Sequence, residues 1–369
     1  MSFNANEKIR YSRQIVLPAF GEAVQLKLKR ARVVVVGAGG LGCAVLPYLA
    51  AAGVGKIGVI DPDLVALSNL QRQVLYRDAD VGLHKATQAA KRLRELNGAI
   101  QVIDYTFALT AANALAVIGE YDCVVDATDR FPARYLINDA CVLLQKPFVY
   151  GSIHQYEGQL AVFNFQHGPT YRDLFPVPPL PAAVPSCETG GVLGALAGVV
   201  GAWQAMEAIK VLGGLPPAVA GKLLQFDGLT FEQHVAQIPN RNQKEVVKNL
   251  IDYDFFCSHK TNAGMKEVTV TELKEMIDTK ADFQLIDVRE QHEYEICNLA
   301  GELIPLAQVP HQIEQIARDK KVVVHCRSGG RSGNIIQWLE KNHGFTNLYN
   351  LKGGILAWAD EIDQSVPKY

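Results

Sequence analysis

The chain has 369 residues, 49% of them hydrophobic and 20% charged, with a formal net charge of −2. That length accommodates two or three domains with ordinary apolar cores, and the near-neutral balance offers no general field to nucleic acid or to a membrane surface, so neither is expected as a partner. The seven cysteines are scattered, odd in number and nowhere form a CxxC pair, which predicts a reduced, cytoplasmic chain.

The opening stretch "MSFNANEKIRYSRQ" is polar and has no apolar signal core, in keeping with that compartment. From there to about residue 238, the apolar runs "RVVVVG", "KIGVID", "IQVIDY" and "YDCVVDATD" alternate with helical segments such as "KATQAAKRLRELN". This rhythm predicts an α/β fold with a Rossmann-like, doubly wound parallel sheet. In "VVVVGAGGLG", Gly37, Gly39 and Gly42 stand in G-x-G-x-x-G register between a strand and a helix. Glycine there permits a tight turn and brings N–H groups and a helix N-terminus against phosphate oxygens. Asp61 closes the next strand, at about the 20-residue spacing of a carboxylate that holds a ribose hydroxyl. On its own this motif points to NAD.

The residues that follow point elsewhere. "DPDLVALSNLQRQVLY" sets Asn69, Arg72 and Gln73 just beyond Asp61 and Asp63, and Lys85 opens the next helix. A dinucleotide needs few cations, whereas a triphosphate needs several charge-assisted donors and a carboxylate to hold its metal, for which Asp129 in "CVVDATD" is placed. Together, "RYSRQIVLP", "GAGGLG", "DPDLVALSNLQRQ" and "ATD" resemble the MoeB/ThiF family, relatives of the ubiquitin-activating enzymes, over residues 7 to 238. The resemblance implies ATP-dependent adenylation of the C-terminal Gly-Gly of a small ubiquitin-like sulfur carrier of the MoaD/ThiS type. It places Gly37, Gly39, Gly40 and Gly42 at the phosphates and Asp61 at the ribose, with Asp63 and Ser68 beside the nucleotide. Asn69, Arg72, Gln73 and Lys85 would hold the phosphates, with Asp129 on Mg²⁺. Arg13 would reach into a partner subunit's site, which implies a homodimer.

Members of that family usually carry a structural zinc on two CxxC pairs. Here Thr170 and Asp173 occupy the first pair's expected positions, and "QIPNRNQKE" near the second has no cysteine, so no structural zinc is expected. The proline-rich "FPVPPLPAAVP" must cross as an extended loop and delivers Cys187 ahead of an apolar helix, whose dipole favours a thiolate. The resemblance implies that Cys187 completes thiocarboxylate formation. The uncharged stretch from Thr189, with Gly194, Gly198 and Ala202 on one face, reads as a packed helix and not as a membrane span.

A polar segment, residues 239 to 266, separates residues 1–238 from a second block, 267–369, predicted as a small α/β domain. In "VVHCRSGGRSG", a strand ends at His325, and Cys326 starts a loop whose N–H groups, with Arg327 and Arg331, suit a thiolate or persulfide. Four residues separate Cys326 from Arg331, against five in the HCxxxxxR loop of cysteine phosphatases, which favours sulfur over phosphate. With "LIDVREQHEYE", "IPLAQV" and "NLKGGILAW", this block resembles a rhodanese domain, although "ICNLAGELIP" departs from the usual pattern. Asp287 and Arg289 read as scaffold and His325 as core.

The joint expectation is an adenylyltransferase and sulfurtransferase that serves molybdopterin, thiamine or tRNA-thiolation chemistry, fed by a persulfide donor such as a cysteine desulfurase. Catalysis would rest on Cys326, Cys187, Arg13, Arg72, Asp129 and Arg331. Two alternatives stay open at this point: a nucleotide-dependent oxidoreductase with a persulfide domain, and a non-catalytic scaffold that docks a carrier.

Overall fold

The structure, a computed structural model, describes residues 2–176, 191–241, 247–251, 253, 257, 265–306, 308–309 and 312–368. The chain divides into two compact units, the first running through Cys257 and the second holding the C-terminal residues from Ser258.

The first unit is an eight-stranded sheet in the order β3-β2-β1-β4-β5-β6-β7-β8. Its strands are β1 (Arg32–Val36), β2 (Lys56–Ile60), β3 (Gln101–Tyr105), β4 (Cys123–Asp126), β5 (Phe148–His154), β6 (Glu157–Phe163), β7 (Lys222–Asp227) and β8 (Gln233–Gln237). The first five are mutually parallel, and β5 to β8 continue antiparallel. Four consecutive valines make β1 because both faces of the strand are covered. Val33 and Val35 enter one apolar cluster, and Val34 and Val36 enter another on the opposite face.

The helix Gly194–Gly213 is long and apolar enough to span a bilayer by length and composition. It lies against the sheet and the helix Gly40–Ala51 at a separation only glycine allows: a Cβ on Gly201 would lie 2.7 Å from both the Ala44 Cβ and the Leu41 carbonyl oxygen. Its buried Gln204 donates to the Asp126 carbonyl at 2.6 Å, tying this helix to the end of β4.

Part of the segment expected as linker belongs to the first unit. Tyr253 and Cys257 join the core around Tyr135 and Tyr171, and the Tyr253 hydroxyl donates to Asp139 at 2.8 Å. The polar composition of residues 239 to 266 conceals these few anchoring apolar side chains.

The second unit is a five-stranded parallel sheet ordered β11-β10-β12-β13-β9. Its strands are β9 (Glu267–Val268), β10 (Phe283–Asp287), β11 (Glu302–Leu303), β12 (Lys321–His325) and β13 (Leu348–Leu351). The valines of β12 again split between faces, Val322 and Val324 on one and Val323 on the other.

Candidate active site

Strand order reverses between β1 and β4, and in an open α/β sheet the crevice at the carboxyl ends of two such strands is where ligands bind. Gly37 leaves β1 with φ +97°, and a Cβ on it would lie 2.6 Å from the Ala127 carbonyl oxygen; one on Gly42 would lie 2.2 Å from the Gly37 carbonyl oxygen. Both positions therefore demand glycine, and they bring the loop after β1 against the loop after β4. Gly39 and Gly40 open the helix Gly40–Ala51.

Asp61 is buried. Its Oδ2 accepts from the Ala38 N–H at 2.8 Å and its Oδ1 from the Asp63 N–H at 2.9 Å, so this carboxylate fixes the glycine loop. Burial raises its pKa, opposed by Lys85 and by those two N–H donors. Lys85 is itself buried and pairs with the exposed Asp63 at 3.1 Å. The Arg72 stem passes within 3.6 Å of where a Gly40 Cβ would sit, and its guanidinium donates to the Ser68 carbonyl at 3.1 Å. Asn69 lies in the short turn Leu67–Asn69, where its Oδ1 accepts from the Ala66 N–H. Gln73 is 3% exposed, and its Oε1 has no partner among the described residues.

Asp129 is exposed on the loop after β4. That loop is shaped by Asp126, fully buried, whose Oδ1 accepts from the Thr128 N–H at 3.0 Å and hydroxyl at 2.7 Å. Burial raises the Asp126 pKa, and Arg134 opposes the shift. Arg134 donates to the Thr128 carbonyl at 3.1 Å and to Ser152 Oγ at 3.0 Å. Asp126 and Arg134 escaped the sequence reading, although Asp126 stands within "VVDATD". Tyr76 escaped it as well; its hydroxyl donates to the Ala38 carbonyl at 2.7 Å, inside the glycine loop. Arg13 is exposed in the last turn of the helix Ala5–Ile15. Cys187 lies outside the described residues.

The crevice suits a magnesium nucleotide. Among the described residues Gln73 Oε1 and Asp126 Oδ2 are buried without a hydrogen-bond partner, the loop after β1 turns directly into a helix N-terminus, and Mg²⁺ is commonly held by one or two carboxylates completed by phosphates and water. The donors at the family's zinc positions do not suit that metal. Asp173 Oδ2 accepts from the Thr170 N–H and hydroxyl at 2.8 and 2.7 Å, and its Oδ1 accepts from the Arg241 N–H at 2.7 Å. A hydrogen-bonded carboxylate thus joins the two stretches that thiolates would have clipped together. Cys43, Cys123 and Cys141 are buried thiols; burial pushes the first two up to about 12 and the third well above its usual range, which leaves them inert near neutral pH.

In the second unit Cys326 follows β12 directly and is 1% exposed. The Gly329 N–H donates to its sulfur at 3.2 Å, and the Ser332 hydroxyl lies 3.4 Å from it. Gly329, at φ +90°, caps the helix Gly330–His343. Arg331 makes two 2.7 Å hydrogen bonds to the Glu293 carboxylate. Arg327 is half-buried beside the nucleophile, and its carbonyl accepts from the Leu356 N–H. Asp287 and Arg289 form a fully buried pair at 2.6 Å. His325 is buried, and neither ring nitrogen has a hydrogen-bond partner among the described residues. Burial lowers its pKa to about 4, with Asp287 opposing, so it is neutral at physiological pH.

The ThiF family model matches residues 11–247, and the rhodanese-like domain model matches residues 269–361. The chain is similar to the adenylyltransferase and sulfurtransferase MOCS3 of Aedes aegypti, at 42% identity over 392 residues, covering 99% of this chain and 90% of that one. MOCS3 of Xenopus laevis is 39% identical over 399 residues, covering 98% and 88%. Among solved structures, E. coli MccB with selenomethionine MccA superposes with a TM-score of 0.56 at 25% identity, covering 64% of this chain and 73% of that chain. With a nucleotide crevice in one unit and a cysteine loop in the other, the chain belongs to the ThiF family, in its adenylyltransferase and sulfurtransferase branch with a rhodanese-like domain.

Proposed function

We propose that the protein activates the C-terminal Gly-Gly carboxylate of a small ubiquitin-like sulfur carrier with ATP and converts it to a thiocarboxylate with sulfur carried on Cys326. The observation that carries this reading is the pairing, in one chain, of a glycine-loop crevice at the β1/β4 reversal, with Arg72 and Lys85 beside it, and a cysteine after β12 whose sulfur accepts from the Gly329 N–H.

In the first unit the carrier carboxylate attacks the α-phosphate of ATP, releasing pyrophosphate. The step needs positioning and charge neutralisation more than proton transfer. Gly37, Gly39, Gly40 and Gly42 receive the phosphates, Asp61 the ribose, and Asn69, Arg72, Gln73 and Lys85 the negative charge, with Asp63 and Ser68 alongside. For Lys85 this means leaving Asp63, whose carboxylate is exposed and can be resolvated by water while the phosphates take its place at the buried ammonium. Asp129 would hold Mg²⁺, which screens the phosphate charge.

In the second unit the persulfide of Cys326 attacks the acyl-adenylate, giving an acyl disulfide and AMP. A second thiol, Cys187 in this reading, attacks the Cys326 sulfur of the acyl disulfide, which releases the thiocarboxylate and leaves a Cys187–Cys326 disulfide for an external thiol reductant to reopen. A homodimer with Arg13 entering the neighbouring site, cytoplasmic residence, and a persulfide donor of the cysteine desulfurase type complete the proposal. The product would enter molybdopterin, thiamine or tRNA-thiolation chemistry.

ATP–pyrophosphate exchange with purified Gly-Gly-ending carriers tests the reading. Exchange with one carrier, lost in Asp129→Ala, supports it; absence of exchange with every such carrier removes the activation step.

A further inference from the structure

We propose that the Ser332 hydroxyl is a catalytic donor to Cys326, stabilising its thiolate while it takes up sulfur, and that Asn350 is the residue that positions this hydroxyl. The proposal rests on the reading of Cys326 as the sulfur-carrying thiol.

The loop contains two arginines, yet the positive charge of Arg331 is directed away: both of its terminal nitrogens are bound to the buried Glu293. Among the described residues, the donors that reach the sulfur include the Gly329 N–H at 3.2 Å and the Ser332 hydroxyl at 3.4 Å. Ser332 is fully buried in the first turn of the fourteen-residue helix Gly330–His343, so its hydroxyl and the helix N-terminus act on the same atom. The hydroxyl also donates to Asn350 Oδ1 at 2.7 Å, and Asn350, 4% exposed on β13, is anchored by its own N–H to the Lys266 carbonyl at 2.9 Å.

One proton therefore faces two acceptors. While Cys326 is a neutral thiol, the amide oxygen is the nearer and stronger acceptor. Once the thiol ionises, the thiolate competes for that proton, and a hydrogen bond to an ionised partner is roughly twice as strong as a neutral one. The anion gains a donor already held within reach, because Asn350 fixes the serine side chain, at the expense of the hydroxyl's bond to Asn350 Oδ1.

The step served is sulfur loading. With thiosulfate as donor, the Cys326 thiolate attacks the sulfane sulfur and forms a new S–S bond. The S–S bond of thiosulfate breaks, sulfite departs with the electron pair, and Cys326 is left as a persulfide anion. Charge and atoms balance without any further oxidant or reductant.

The test uses the full-length chain. Iodoacetamide alkylation of the Cys326 peptide is followed by mass spectrometry against pH, alongside thiosulfate-to-cyanide sulfur transfer. Ser332→Ala should move the alkylation midpoint up by about one pH unit and slow sulfur transfer about tenfold at neutral pH, with rates converging on wild type in alkali. Ser332→Thr should restore the midpoint. A Ser332→Ala profile that superimposes on wild type overturns the proposal, as does slower transfer with an unmoved midpoint. Cys326→Ala separates the two readings: if it retains sulfur transfer, the assignment of Cys326 itself fails, whereas if it abolishes transfer and Ser332→Ala changes nothing, only the role of Ser332 fails.

Discussion

The glycine loop after β1 and the sulfur loop after β12 each leave a parallel strand at its carboxyl end and enter a helix at its N-terminus, but they treat charge in opposite ways. Around the first, Lys85 is shared with an Asp63 whose side chain is 65% exposed, and Asp129 stands in solvent. Around the second, Arg331 is locked to a buried Glu293, the Asp287–Arg289 pair is wholly buried, and the nucleophile itself is 1% exposed. Cations held by solvated carboxylates can be handed to an incoming anion, whereas buried pairs are costly to break and serve as scaffold. The first arrangement leaves its charges exchangeable, as the proposed nucleotide would require, and the second holds them fixed around the proposed sulfur-carrying cysteine.

The largest test of this contrast is to disable each loop alone. Gly37→Ala would force a side chain into a left-handed turn and against the Ala127 carbonyl, and should lower ATP–pyrophosphate exchange by about 10²-fold or more while leaving thiosulfate sulfur transfer intact. Cys326→Ala should do the reverse. If either substitution removes both activities in a folded protein, the two loops are not the separate devices described.

The next test is a pH dependence confined to the second unit. The folded pKa of His325 is depressed to about 4, below the ordinary value near 6.5, so the unfolded chain takes up a proton that the folded chain refuses. Stability is therefore lost as pH falls through the window from about 6.5 to about 4, by roughly 3 kcal/mol in full. Melting curves between pH 7 and 5 should show the second unit weakening, and His325→Asn should flatten that slope. An unchanged slope would mean that another group carries it.

A smaller effect sharpens the first half of the comparison. Tyr76→Phe removes one buried hydroxyl from the Ala38 carbonyl and should cost about 1 kcal/mol of stability, with a rise of about a few-fold in the KM for ATP. Wild-type stability and KM in this variant would show that the tyrosine does not shape the loop.

The parts legible in the sequence were those in which neighbouring residues carry the geometry. Gly37 and Gly42 announce themselves because only glycine fits, and the valine runs of β1 and β12 because both faces of each strand are covered. Cys326 stood out through the length of its loop. What could not be read were pairings across long separations. Arg331 looked like a partner of Cys326 because it follows it closely, but Glu293, 38 residues earlier, holds it. Gln204 is linked to Asp126 across 78 residues, and Tyr253 to Asp139 across 114, which is why a polar stretch read as linker still anchors to the first unit.

The most direct test of the central claim is the mass of the carrier protein after incubation with ATP, Mg²⁺ and a persulfide donor. The account predicts replacement of one carboxylate oxygen by sulfur with the wild-type chain, an acyl-adenylate and no thiocarboxylate with Cys326→Ala, and unmodified carrier with Gly37→Ala. Thiocarboxylate formed at the wild-type rate by Cys326→Ala would contradict it.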